Sequence, residues 1–174
     1  MVKMNEQYKI TLIKLLTLNQ ISYFNKQLEK QSKKDKGIIY VNRSVPTSAI
    51  KALYRLPDCA EEYHSETGSI ILTAAYYLKN IIILQGFEDG NHRTALYATI
   101  LFLNLNGYDT KEIDNECALS FKNHLIMLRY KDYHTIGSLE SLSSEVLKIE
   151  DNIPIEENYV FEFCLKFIKS EILR

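Results

Sequence analysis

Between Leu84 and Asp109 the chain reads "LQGFEDGNHRTALYATILFLNLNGYD", and its most reactive side chains are crowded into Phe87-Glu88-Asp89-Gly90-Asn91-His92-Arg93. Gly86 and Gly90 allow tight turns and close approach of a ligand to the backbone. A Gly-Asn turn opening a helix aims several N–H groups without intrahelical acceptors at one spot, and the helix dipole adds positive potential there. That is a phosphate site in outline. Arg93, in the first helical turn, brings a planar fork of donors matched to phosphate oxygens. Asp89 or Glu88 can lend a carboxylate oxygen to a Mg2+ ion that arrives on phosphates. Phe87 reads as a buried peg that fixes the loop. The same residues also fit a plainer role, with acids complementing a helix dipole and Arg93 in an ion pair.

The elements around this loop follow from periodicity. Ser69–Leu84 is apolar nearly all round, as in the central helix of a bundle. A second helix runs from about Asn91 to Asn106, with Gly107 as its stop. Residues 5–32 place apolar side chains at Tyr8, Leu12, Leu15, Leu16 and Phe24, predicting an amphipathic helix with a break near Leu18-Asn19. "GIIYVNRSVPTSAI" reads as extended, a small β-hairpin flap, because Ile38–Val41 are β-formers and Asn42-Arg43-Ser44 suits a turn. A short helix ending before Pro57 follows, with Thr47 or Ser48 as its cap. "NECALSFKNHLIMLRY", "SLESLSSEVLKI" and "IEENYVFEFCLKFIKSEIL" predict three further helices. The expectation is one all-α domain over residues 1–174, a helical bundle with a core over 38–150, the loop at 85–93, flanking helices at both ends and a small β-hairpin flap.

Bulk properties narrow the function. A chain of 174 residues with 46% apolar and 25% charged residues is long and apolar enough for a single packed core. Its net charge of −1, with acids and bases interleaved, predicts neither a nucleic-acid nor a membrane partner. Cys59, Cys117 and Cys164 match neither a disulfide framework nor a zinc pattern, so they read as reduced thiols of a cytoplasmic protein. The most apolar run is interrupted by Lys79 and Asn80, which suits a buried helix rather than a membrane span. No signal peptide is expected.

Gln85-Gly86-Phe87-Glu88-Asp89-Gly90-Asn91-His92-Arg93 resembles the active-site motif of the Fic/DOC family, His-x-Phe-x-(Asp/Glu)-(Gly/Ala)-Asn-(Gly/Lys)-Arg followed by a helix. The continuation "TALYATILFLNLNGY" is similar to Doc-type members, and "VNRSVPTSAIKALYRL" resembles that family's flap and short helix, so the resemblance covers residues 42–109. It implies a Fic-like helical bundle with a β-hairpin flap. It also implies a transferase that moves AMP from ATP to a Ser, Thr or Tyr hydroxyl of a target protein, or, as in Doc-type toxins, a phosphate. The implied cofactors are ATP and Mg2+. Position by position, Asp89 matches the Mg2+ ligand, Gly90, Asn91 and Arg93 the phosphate nest, and Phe87 the anchor. The flap residues Thr47, Ser48, Ala49 and Ile50 would align a target segment by strand-like pairing. A plain helix start is the alternative for these four.

Three positions depart from the family pattern. Gln85 stands where the motif histidine takes the proton from the attacking hydroxyl; its amide can orient a hydroxyl but holds no proton near neutral pH. His92 replaces Gly or Lys, and it can touch a phosphate as a cation, substitute obliquely as a base, or be a plain helix residue. Leu96 stands where many AMP-transferring members carry a second arginine. His64, His124 and His134 are not spaced as a metal-ligand pair. No self-inhibitory Ser/Thr-x-x-x-Glu-Gly/Asn pattern is evident, so restraint would come from a separate inhibitory partner. Three functions stay open: a transferase impaired at Gln85, a nucleotide-binding pseudoenzyme, and a helical interaction module.

Overall fold

The computed structural model describes residues 12–34, 44–131 and 159–174, without the side chains of 126–131 and Tyr159. Its helices are α1 (Leu18–Lys34), α2 (Thr47–Thr67), α3 (Ile70–Leu84), α4 (Asn91–Leu105), α5 (Asn115–Lys131) and α6 (Tyr159–Phe167), with a π-helical turn over Ile168–Ile172. The fold is all-α. Among the described residues there is no strand, only a lone antiparallel bridge between Thr110 and Leu173.

α3 is the axis of the bundle. It packs against α2, α4 and α6, and buries Ala74, Ala75, Tyr77, Leu78, Ile81 and Ile82 completely. Ser69 starts it as the N-cap, accepting the Leu72 N–H at 3.2 Å. The C-terminal turn and π-helical segment close the far end, where Lys111 N–H donates to the Ile172 carbonyl at 2.7 Å. α1 lies across α4.

Two helix boundaries differ from the sequence expectation. α2 does not end before Pro57 but runs through it to Thr67. A proline inside a helix forfeits one backbone hydrogen bond and costs about 3 kcal/mol. Leu53, Leu56, Ala60 and Tyr63 form one continuous buried stripe across that point, and its burial offsets the cost. Residues 12–17 are not helical. The Asn106 side chain accepts from Lys14 N–H and donates to the Lys14 carbonyl, both at 2.9 Å. Leu16 N–H donates to the Tyr77 hydroxyl at 3.2 Å. These bonds satisfy backbone groups that a helix would otherwise pair internally.

The hairpin residues 38–43, the helix expected around "SLESLSSEVLKI" and His134 lie outside the described residues. Thr47, Ser48, Ala49 and Ile50 are described, and they are helical: the first turn of α2, with Ile50 N–H donating to the Pro46 carbonyl at 3.2 Å. They present a helix start, not a strand edge. Pro46 is the N-cap, so neither Thr47 nor Ser48 caps the helix. No helix among the described residues is long and apolar enough to cross a membrane. All three cysteines are free thiols.

Candidate active site

α3 ends at Gln85, whose backbone turns left-handed (φ 49°, ψ 40°), the one non-glycine residue with positive φ among the described residues. For an L-residue this conformation is strained by about 1–2 kcal/mol. The side chain folds back over the helix end: its Nε2 donates to the Ile82 carbonyl, one of the carbonyls left over at the C-terminus. Its Oε1 faces Asn91 Nδ2 at 3.5 Å.

Asn91 is the keystone of the loop. It is buried, its Oδ1 accepts the Phe87 N–H at 3.1 Å, and its Nδ2 donates to the Phe87 carbonyl at 3.0 Å. One amide thus fixes both polar groups of the residue at the loop's apex. Phe87 packs partly buried against the hydrophobic core and does not line the cleft, so it serves as an anchor. Gly90 is left-handed (φ 73°) and forms the N-cap of α4; with no side chain, it leaves the first-turn N–H groups uncapped from that position. Asp89 Oδ1 accepts the Gly90 N–H at 2.6 Å, which holds its carboxylate at the mouth of the helix.

Two contacts brace the loop from outside, and neither was evident from the motif. Asn25 of α1 is buried, and its Nδ2 donates to the Asp89 carbonyl at 2.7 Å and to Thr94 Oγ1 at 3.1 Å. The signal for it is a polar residue on an apolar stripe, since it shares a face with Ile21 and Leu28. On the other side Leu53 of α2 packs so closely that a Cβ on Gly86 would come within 2.8 Å of its Cδ2. Glycine at 86 lets the two approach that closely without either shifting.

The loop forms one wall of a cleft of about 600 Å³, lined by Gln85, Glu88, Asp89, Gly90, Asn91, His92 and Arg93. α5 forms the other wall with Asn115, Ala118, Leu119 and Lys122, spaced i, i+3, i+4, i+7 so that one helical face meets the loop. The structure therefore gathers the sequence-predicted polar site residues in one place and adds α5 to them. Thr47, Ser48, Ala49 and Ile50 do not line this cleft; they lie one turn before Leu53. Leu96 is fully buried in the core, so α4 offers no second cation one turn beyond Arg93. Among the described residues neither Arg93 nor Lys122 makes a salt bridge.

His64 and His124 are elsewhere: the first bonds Thr73 Oγ1 at 3.0 Å, and the second stacks on Phe163. A second groove of about 620 Å³ lies between α5 and α6 and contains Cys117. Burial and the nearby Glu171 and Asp114 carboxylates push that thiol's pKa up, so it is no activated nucleophile.

Among the described residues no three His, Cys, Asp or Glu side chains are grouped to hold a metal alone. The adjacent Glu88 and Asp89 suit instead an ion that brings phosphate and water ligands with it, the usual manner of Mg2+.

No curated protein and no solved structure matches this chain. The model of the Fic/DOC family matches residues 10–103, more than half of the 174, from upstream of α1 to within two residues of the end of α4. The match reaches further upstream than the motif and flap alone would indicate, and it takes in the α1 residue Asn25 that braces the loop. On that span, the chain belongs to the Fic/DOC family.

Proposed function

We propose that this protein binds ATP with Mg2+ in the cleft between the 85–93 loop and α5, and transfers AMP, or a phosphate, to a hydroxyl side chain of a target protein at a rate limited by Gln85. The observation that carries this reading is the convergence of Asp89, the start of α4 and Arg93, a cation without a salt bridge among the described residues, on one cleft wall. The first turn of α4 and Arg93 favour phosphate oxygens. Mg2+ on Asp89, with Glu88 beside it, would neutralise phosphate charge.

For AMP transfer, the target oxygen forms a bond to the α-phosphorus while the bond from that phosphorus to the leaving pyrophosphate oxygen breaks. The hydroxyl proton has to go to solvent or to a phosphate oxygen, because the amide of Gln85 cannot take it. Loss of a positioned base costs about 10²–10⁴ in rate. A loose phosphoryl transition state lets positioning and charge carry much of the remaining catalysis. The exposed start of α2, Thr47–Ile50, lies one turn before the Leu53 that touches Gly86, and it offers a docking surface for the target. Restraint falls to a separate inhibitory partner, and the free thiols suit the cytoplasm.

The test is label transfer in cell extract from α- and γ-labelled ATP, comparing this protein with Gln85→His. Histidine is among the residues that enter the left-handed backbone region most readily, so the substitution fits φ 49°. The histidine version should transfer about 10²-fold more label, and the label that moves names the reaction. Stabilisation by Mg-ATP without transfer in either version would favour a pseudoenzyme, a reading that the bonds already made by the Gln85 amide support. Absence of stabilisation would leave an interaction module.

A further inference from the structure

We infer that Lys122 of α5 binds the outer phosphates of the nucleotide and makes the site selective for nucleoside triphosphates over monophosphates. The inference rests on the nucleotide reading above, but on a different element, since α5 lies outside the residues 10–103 that match the family. Arg93 and Lys122 are the lysine and arginine side chains lining the cleft, and they stand on opposite walls. Neither makes a salt bridge among the described residues, although Glu88 and Asp89 line the same cleft.

A monophosphate held at the start of α4 needs only the loop wall. A triphosphate carries further charge away from that point, and α4 cannot follow it, because Leu96 is buried. The next available cation is on α5. A lysine suits this role: its ammonium is a compact charge on a flexible stem, able to follow a mobile outer phosphate where a rigid fork would demand one geometry. The rest of the face agrees, since Leu119 and Ala118 lie one turn before Lys122. Leu119 is 57% exposed, and with Ala118 it gives the α5 wall an aliphatic surface. The α5 wall thus presents a cation and an apolar step, the two surfaces that a nucleotide's phosphate tail and base require.

The experiment is calorimetric titration of the full chain with Mg-ATP, Mg-ADP and AMP, for the unchanged protein, Lys122→Met and Lys122→Arg. Methionine keeps most of the stem and removes the charge, and Lys122 is exposed, so neither variant disturbs the core. We expect Lys122→Met to weaken ATP about ten-fold, with AMP unchanged within about two-fold and ATP affinity largely restored by Lys122→Arg. The ATP loss should shrink as salt is raised. Equal ATP affinity in all three proteins would overturn the inference while leaving the nucleotide site intact, and so would an equal loss for AMP and ATP. Failure of the unchanged protein to bind any of the three would overturn the proposed function and this inference together.

Discussion

Asn25 is the most informative residue to remove. It is 6% exposed and gives its amide to the Asp89 carbonyl at 2.7 Å and the Thr94 hydroxyl at 3.1 Å. Asn25→Leu keeps much of the volume and deletes both donors. Each lost bond costs about 1 kcal/mol net, and an acceptor left dry adds about 1–3 kcal/mol. The Asp89 carbonyl belongs to a half-exposed residue and can turn to water, whereas Thr94 is fully buried. The loss should therefore come to about 2–5 kcal/mol, counting two bonds and at most one dry acceptor. For a domain of this length each kcal/mol moves Tm by about 2–4 °C, so Tm should fall by roughly 4–20 °C. A double-mutant cycle isolates the cause. Thr94→Val removes the other partner, and the double variant should be more stable than the sum of the singles predicts by about 1 kcal/mol, since no dry hydroxyl remains. Denaturant titration of the four proteins measures this, and Mg-ATP stabilisation of Asn25→Leu reports whether the loop keeps its shape. Single-site loss below about 0.5 kcal/mol, or additivity within that margin, would refute α1 as the brace of the loop.

Two further effects follow from buried oxygens. Thr99 is fully buried and its hydroxyl has no hydrogen-bond partner among the described residues, so Thr99→Val should raise stability by about 1 kcal/mol in denaturant titration; a loss would mean that the hydroxyl does have a partner. Tyr77 is buried, and its phenol is pushed up to about 12 chiefly by that burial, only partly opposed by the Leu16 N–H. An unfolded tyrosine titrates near 10, so the native state is fully favoured below about pH 10 and loses stability as pH climbs towards 12. Tyr77→Phe should flatten that decline, and an unchanged slope would place the alkaline loss elsewhere.

The parts of the fold that were legible in sequence are those with local causes. Gly107 as the stop of α4 is chemistry within one turn, and it turns left-handed just past the helix end, where the sequence puts it. Pro57 misled because local propensity lost to a buried stripe extending two turns beyond it. Residues 12–17 misled because their apolar spacing suits a helix, while the groups that hold them, Asn106 and Tyr77, are far along the chain. The site divides the same way. The 85–93 loop is contiguous, so its residue types announce themselves. Asn25 and the α5 face reach it only through tertiary packing, and a helix stripe of Asn115, Ala118, Leu119 and Lys122 gives no sign of what it will face.

Gln85 separates two duties that share one position. Its amide offers a donor and an acceptor at once: the donor closes the end of α3 on the Ile82 carbonyl, and the acceptor faces Asn91, which holds Phe87. A neutral imidazole also has one donor and one lone pair, but a lone pair turned to Asn91 is not available to an attacking hydroxyl. A histidine at 85 must give up part of the loop's bonding to act as a base, and the glutamine keeps that bonding without acting as one. Gln85→His should then gain transfer while the nucleotide-free protein loses about 1 kcal/mol of stability. A histidine variant that is both more active and more stable would break this argument, because it would show that the amide's bonds were never holding the loop.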